Sequence, residues 1–208
     1  RSPMDPRTYL TRRQHAWALA RGIPVEDGYV ADLDHNLFQP LGPEVLAEFT
    51  AGDGHELGNA GQPGHMFALH SSSAAAVNLF HYWKTNGEVA AIARACRLPT
   101  PGAAAIRFEA QHPIHAVLER PANLDVEIRY AGRGPLKASA VECKFSEPYG
   151  RGHQGLRPRY LEADLAPVWD GLPNCLAFAH GSSPDYHHFT RLHAAQLLKH
   201  ILGLEASY

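Results

Sequence analysis

Residues 123–147, NLDVEIRYAGRGPLKASAVECKFSE, decide the fold of this chain. Apolar and polar residues alternate strictly from Asn123 to Tyr130, which is the period of a β-strand with two different faces. Residues 131–136 contain two glycines and a proline and interrupt this pattern as a turn would. A further strand is predicted from Lys137 to Phe145, so the stretch is interpreted as a β-hairpin.

The register of this hairpin brings charged residues together. A symmetric turn centred between residues 133 and 134 places Asp125 directly opposite Glu142, where opposed Cβ atoms lie about 4.5–5.5 Å apart. Lys144 shares a strand face with Glu142, because side chains two residues apart point to the same side. Two such carboxylates repel each other unless a cation lies between them. We therefore expect Mg²⁺ (or Mn²⁺) at Asp125 and Glu142, with Lys144 placed to orient or deprotonate a water.

A solvent-facing strand of mixed charge is the alternative interpretation, since an exposed Glu–Lys pair contributes less than about 1 kcal/mol. The neighbouring residues argue against it. Glu142 and Lys144 interrupt a run of small and apolar residues, which predicts a central strand buried on both sides. Charges in such a place are costly, so they are expected to be kept for function.

The rest of the chain alternates helical and strand patterns. A strand is predicted from Ala104 towards Val117, and the short apolar run Cys175–Ala179 is interpreted as a fourth strand. The fold class is therefore α/β in the α+β sense, with a three-stranded antiparallel meander, a further strand and flanking helices. Helices are predicted at 6–22, 43–49, 71–86, 88–98, 160–169 and 185–202, and the glycine-rich residues 51–64 as a mobile loop.

Composition sets limits on the class of protein. The chain has 208 residues, three widely spaced cysteines and a net charge of −2. No disulfide framework, membrane span or signal peptide is predicted, and a cytoplasmic setting is expected. The net charge neither indicates nor excludes a nucleic-acid binder. No HExxH zinc motif and no GxSxG nucleophile motif is present.

The hairpin residues, with His70-Ser71-Ser72-Ser73 and Asn78-Leu79-Phe80, resemble the PD-(D/E)xK nuclease superfamily and its bacterial restriction-endonuclease-like members. The similarity covers about residues 65–150. It implies a restriction-endonuclease-like core of a helix, three antiparallel strands, a helix and a further strand. We therefore divide the chain into an N-terminal extension, 1–64, and a nuclease domain, 65–208.

The resemblance also implies roles for individual residues. Asp125 and Glu142 become metal ligands together with the backbone carbonyl of Cys143, and Lys144 becomes the catalytic lysine. Some members add an acidic residue, for which Glu109 is the candidate. The family's further strand after the last helix leads us to interpret the sequence as C-terminally truncated.

Two functions remain open at this point. One is a magnesium-dependent endonuclease that hydrolyses phosphodiester bonds of DNA, with RNA not excluded. The other is a catalytically silent module of the same fold that binds nucleic acid or a partner protein. Three arginines follow the predicted site and are candidates for phosphate contacts: Arg151, Arg157 and Arg159. A solvated loop explains them equally well, and the oligomeric state is not predicted.

Overall fold

The computed structural model describes residues 4–52, 54–59, 61–150, 153–186 and 188–208, and it has the predicted α+β class. Its α-helices are α1 (Pro6–Ala20), α2 (Pro43–Ala51), α3 (Ser72–Thr85), α4 (Val89–Ala95), α5 (Pro173–His180) and α6 (Ala194–Ser207). Its strands are β1 (Val25–Glu26), β2 (Tyr29–Val30), β3 (Gly58–Asn59), β4 (Gln62–Pro63), β5 (Ala103–His112), β6 (Ala122–Tyr130) and β7 (Ala138–Val141). No helix in these residues is both long and apolar enough to span a membrane.

The hairpin forms with the predicted register. β6 pairs antiparallel with β7, with Val126 opposite Val141 and Arg129 opposite Ala138. The sheet order is β5-β6-β7, so β6 is the central strand. Its apolar residues Leu124, Val126 and Ile128 are buried. The alternation in the sequence therefore identified both the strand and its buried face.

The prediction for β7 is wrong in two respects. The strand ends at Val141 rather than Phe145, and it lies at the edge of the sheet rather than at its centre. All four of its residues are only partly buried. The small residues Ala138 and Ala140 belong to a half-buried edge strand. Contrary to the prediction, Glu142 and Lys144 therefore do not interrupt a strand buried on both sides.

Contacts divide the chain into two compact units. The first consists of Arg1–Ala110 and Leu124–Tyr149, and the second of Gln111–Asn123 and Gly150–Tyr208. In the first unit, Val77 and Phe80 of α3 pack with Phe108 of β5 and with Val126 and Ile128 of β6. The predicted boundary at residue 64 stays a prediction, although residues on both sides of it belong to this unit.

The helix starts in the first unit follow the capping residues of the sequence. Asp5 accepts a hydrogen bond from the Thr8 amide and caps α1, with Pro6 at the first helical position. Ser71 caps α3 by accepting a hydrogen bond from the Ala74 amide at 3.1 Å. These predicted starts are confirmed.

In the second unit the predicted elements differ from the observed ones. Residues 175–179 belong to α5 and are not a fourth strand, because Pro173 begins a helix and a short apolar run has no decisive period. The predicted helix at 160–169 consists of 3₁₀ turns that include Pro167, which lacks the amide an α-helix needs. The last helix begins at Ala194 instead of residue 185.

Candidate active site

Asp125 lies near the middle of β6, and its carboxylate holds the segment that follows β7. Its Oδ2 atom accepts a hydrogen bond from the backbone amide of Cys143 at 2.7 Å. Strand pairing has already ended at Val141, so a side chain takes the place of a backbone partner here. Residues 142–144 are thereby fixed next to Asp125 without being part of the strand.

Lys144 lies between the two predicted carboxylates. Its Nζ atom forms an ion pair with Oε1 of Glu142 and lies 4.0 Å from Oδ2 of Asp125. The side chains of Asp125, Glu142 and Lys144 are 19%, 14% and 30% exposed, so the cluster is partly screened from solvent. The structure thus brings together the three residues that the sequence predicted.

The electrostatics of the cluster show an excess of negative charge. Burial raises the pKa of Glu142 to about 7, and the neighbouring Asp125 adds to this shift, whereas Lys144 opposes it. Burial also raises the pKa of Asp125, despite Lys144 and the Cys143 amide, which lower it. Burial alone would lower the pKa of Lys144, but both carboxylates raise it. One ammonium group therefore does not compensate for two buried carboxylates.

Cys143 lies between the charged residues but does not act as a nucleophile. Its side chain packs against the core of the first unit, as the alternation of faces predicted. Burial raises the pKa of its thiol to about 12, and Asp125 and Glu142 add to the shift. Because the thiolate is the reactive form, this cysteine is inert near neutral pH.

Glu56 is a site residue that sequence reasoning missed. It comes from the glycine-rich segment interpreted as a mobile loop, yet its side chain is only 12% exposed. Burial raises its pKa, and the charge of Asp125, which lines the same cleft, contributes to the shift. Its Oε2 atom is buried and accepts no hydrogen bond within the described part of the chain. A third carboxylate thus adjoins the pair of Asp125 and Glu142.

Glu147 is a second missed residue and has a different role. Its carboxylate accepts hydrogen bonds from the Ser72 hydroxyl at 2.5 Å, the Phe145 amide at 3.0 Å and the Ser146 amide at 2.9 Å. Burial raises its pKa, but these donors and Lys144 outweigh burial and lower it overall. Glu147 therefore stays ionised and ties the segment after Lys144 to the start of α3.

A cleft of about 250 Å³ opens onto this cluster. Asp125, Lys144, Glu147 and Glu56 line it, together with the start of α3. Arg7 of α1 and His70 also contribute to its wall. Asp125 and Lys144 are thus accessible to a small polar group from this cleft, whereas Glu142 is not among the residues that line it.

Glu109 is not among the residues that line this cleft. It lies on β5, is buried, and has a left-handed φ of 47°. Gly52, at the end of α2, lies close to Glu109. A Cβ atom on Gly52 would lie 3.3 Å from the Cβ atom of Glu109, which is a tight contact that favours glycine. A role for Glu109 as an additional acidic site residue stays a prediction.

Two of the predicted phosphate-binding arginines, Arg157 and Arg159, belong to the second unit. Arg159 forms two hydrogen bonds of 2.6 Å with the carboxylate of Asp164 and one of 2.8 Å with Glu162. Arg157 lines a different cleft, together with Arg120. Arg151 lies outside the described residues. Contacts of these arginines with nucleic acid stay a prediction.

The donor set can be compared with the needs of a metal ion. Over residues 4–208, leaving aside positions 53, 60, 151, 152 and 187, no three His, Cys, Asp or Glu side chains form a ready metal cage. Magnesium does not need one, because it takes one or two carboxylates and completes its shell with water and phosphate oxygens. Asp125 and Glu142, which carry uncompensated negative charge, fit that requirement.

Comparison with known families identifies the family to which the chain belongs. A family model described as "Restriction Endonuclease associating with ARP" matches residues 21–207. The chain belongs to this family. The match of the Restriction Endonuclease associating with ARP family includes Glu56, Asp125, Glu142 and Lys144, whereas all of α1 lies before it.

No curated protein and no solved structure matches the chain. The Restriction Endonuclease associating with ARP family therefore indicates a restriction-endonuclease-like protein of nuclease type, while the roles of single residues depend on the geometry described above.

Proposed function

We propose that this protein is a metal-dependent endonuclease of the PD-(D/E)xK type that hydrolyses phosphodiester bonds of DNA. The observation that carries the proposal is the convergence of Asp125, Glu142 and Lys144 where the chain leaves β7. Asp125 and Glu142 would hold Mg²⁺ or Mn²⁺, with the carbonyl oxygen of Cys143 as a further ligand. The match to a restriction-endonuclease-like family supports the reaction class.

The charge balance supports a divalent cation at this place. Burial makes the ionised forms of Asp125 and Glu142 unfavourable, as their raised pKa values show. A divalent cation compensates both carboxylates at once and needs no further protein ligand. When bound, magnesium activates water and neutralises charge on phosphate oxygens.

The protein groups have distinct tasks in this proposal. Asp125 keeps one orientation because its carboxylate accepts the Cys143 amide. Lys144 is an ammonium donor that lines the cleft, where it can orient the attacking water and stabilise charge developing on the phosphate. Glu142, whose pKa is raised to about 7 in the absence of a metal ion, would release its proton when it binds the ion. Glu56 faces the same cleft and adds negative charge beside Asp125.

Calorimetric titration of the apoprotein with Mg²⁺ tests the proposal. We expect saturable binding by the wild-type protein and its loss in Glu142→Gln, which keeps the shape of the side chain. Glu26→Gln, on the short strand β1, is the matched control and should bind as the wild type does. Absence of Mg²⁺ binding, combined with salt-sensitive binding of DNA, would favour the catalytically silent module instead.

A further inference from the structure

The cleft beside the catalytic cluster is also lined by an arginine and a histidine. Arg7, at the start of α1, and His70, just before α3, line the same cleft as Asp125 and Lys144. Burial lowers the pKa of His70, and the charge of Arg7 lowers it further by a smaller amount. This effect indicates that the two side chains are close to each other. Nothing in the family match covers Arg7, which precedes residue 21.

The position of Arg7 follows from the way α1 is held. Arg7, Gln14 and Ala18 lie on one face of the helix, at intervals of seven and four residues. The Gln14 side-chain amide donates a hydrogen bond to the carbonyl of Leu69, and Ala18 is buried against Leu69 and Val30. The helix is thus fixed to the segment that leads into His70.

Arg7 is available for a ligand. Lys144 is engaged by Glu142, but in the described part of the chain no carboxylate forms an ion pair with Arg7. A guanidinium group can donate two hydrogen bonds to one phosphate. A neutral His70 ring can donate one more through its N–H group.

Resting on the proposed function, we infer that Arg7 and His70 form a phosphate subsite that holds a backbone phosphate of the bound DNA next to the one that is cleaved. The cleft also contains Glu56, Asp125 and Glu147, whose negative charge opposes an approaching phosphate. The guanidinium group of Arg7 in the same cleft offsets this repulsion and orients the strand relative to Lys144. Arg7 is therefore a positioning residue and not a catalytic one.

The test is binding of a fluorescent DNA duplex, measured by anisotropy over a series of salt concentrations in EDTA. Arg7→Ala should weaken binding about tenfold, as expected for one lost charge-assisted contact. The slope of log K against log salt should become smaller by about 0.9, which is the value for one lost phosphate contact on duplex DNA. Arg7→Lys should retain most of the slope.

Arg12→Ala is the matched control. Arg12 lies on the same helix and is exposed, but it contacts Met4 and does not line the cleft. It should bind DNA nearly as the wild type does. Equal effects of Arg7→Ala and Arg12→Ala, or no duplex binding by the wild-type protein, would overturn the inference.

The outcome is separable from that of the proposed function, because binding is measured without metal. If DNA binding depends on Arg7 but the protein never cleaves DNA, the phosphate subsite is supported and the proposed nuclease function is contradicted. If the Arg7→Ala variant cleaves DNA as well as the wild type does, with an unchanged KM, the nuclease function is supported and the phosphate subsite is contradicted.

Discussion

The carboxylate of Asp125 and the backbone amide of Cys143 form a hydrogen bond of 2.7 Å across the open end of the β6–β7 hairpin. Through this bond a single side chain both contributes charge to the cluster and fixes the backbone that carries Glu142 and Lys144. Replacing Asp125 therefore changes both the charge of the cluster and the position of this backbone, and different substitutions can separate the two effects.

Asp125→Asn and Asp125→Ala should differ in stability but not in metal binding. An asparagine oxygen can still accept the Cys143 amide, whereas alanine leaves this partly buried donor without its partner, at a cost of about 1–3 kcal/mol. Both substitutions remove a charged ligand and should abolish Mg²⁺ binding. Urea denaturation with parallel calorimetry measures both properties. Equal stability of the two variants would contradict the clamping role of Asp125.

Ser72 and Glu147 should act as positioning residues for Lys144. The Ser72 hydroxyl donates to Glu147 and also accepts the Phe145 amide at 2.9 Å, so the pair fixes the backbone directly after Lys144. Glu147→Gln should lower kcat about tenfold with little change in KM, because the lysine is less well placed. Ser183→Ala is the control for Ser72→Ala, because Ser183 lies outside this network, and it should leave kcat unchanged. A Ser72→Ala variant with the kcat of the wild type would argue against the role.

The free energy of unfolding should depend on pH through Glu142. Its pKa is raised from 4.5 to about 7, so between these values the folded protein binds a proton that the unfolded chain has released. In EDTA, stability relative to Glu142→Gln should therefore fall as the pH rises from 5 to 8, by on the order of 2 kcal/mol. Subtracting the variant removes the opposite contributions of His70 and His81, whose pKa values are lowered.

Addition of Mg²⁺ at pH 8 should restore the stability of the wild-type protein, because the ion binds only the folded state. It should not stabilise Glu142→Gln. A difference between the two proteins that stays constant from pH 5 to 8 would mean that Glu142 does not carry the proton.

The hairpin could be predicted because its information is local. A symmetric turn and strict alternation fix which residues oppose each other, and the observed pairing of Val126 with Val141 agrees. The end of β7 could not be predicted in the same way. The end of the strand depends on the hydrogen bond that the Asp125 carboxylate accepts from the Cys143 amide. The alternation of apolar and polar residues does not predict this bond.

Glu56 and Arg7 could not be found because they reach the cleft only through tertiary packing. Glu56 lies in a segment whose glycines indicate a loop, and no periodicity shows where a loop folds back. Arg7 lies within the helix predicted at 6–22, but its position in the cleft depends on the contacts of Gln14 and Ala18. Long-range contacts of this kind leave no spacing signal in a single sequence.

The most direct measurement is cleavage of duplex DNA by the purified protein with and without Mg²⁺, comparing the wild type with Lys144→Met and with the control Lys137→Met. Lys137 precedes β7 and does not line the cleft. We predict magnesium-dependent cleavage that Lys144→Met reduces at least about a hundredfold and Lys137→Met leaves unchanged. Cleavage by Lys144→Met at the wild-type rate, or cleavage by the wild type that persists in EDTA, would contradict the assignment of this cluster as a metal-dependent nuclease centre.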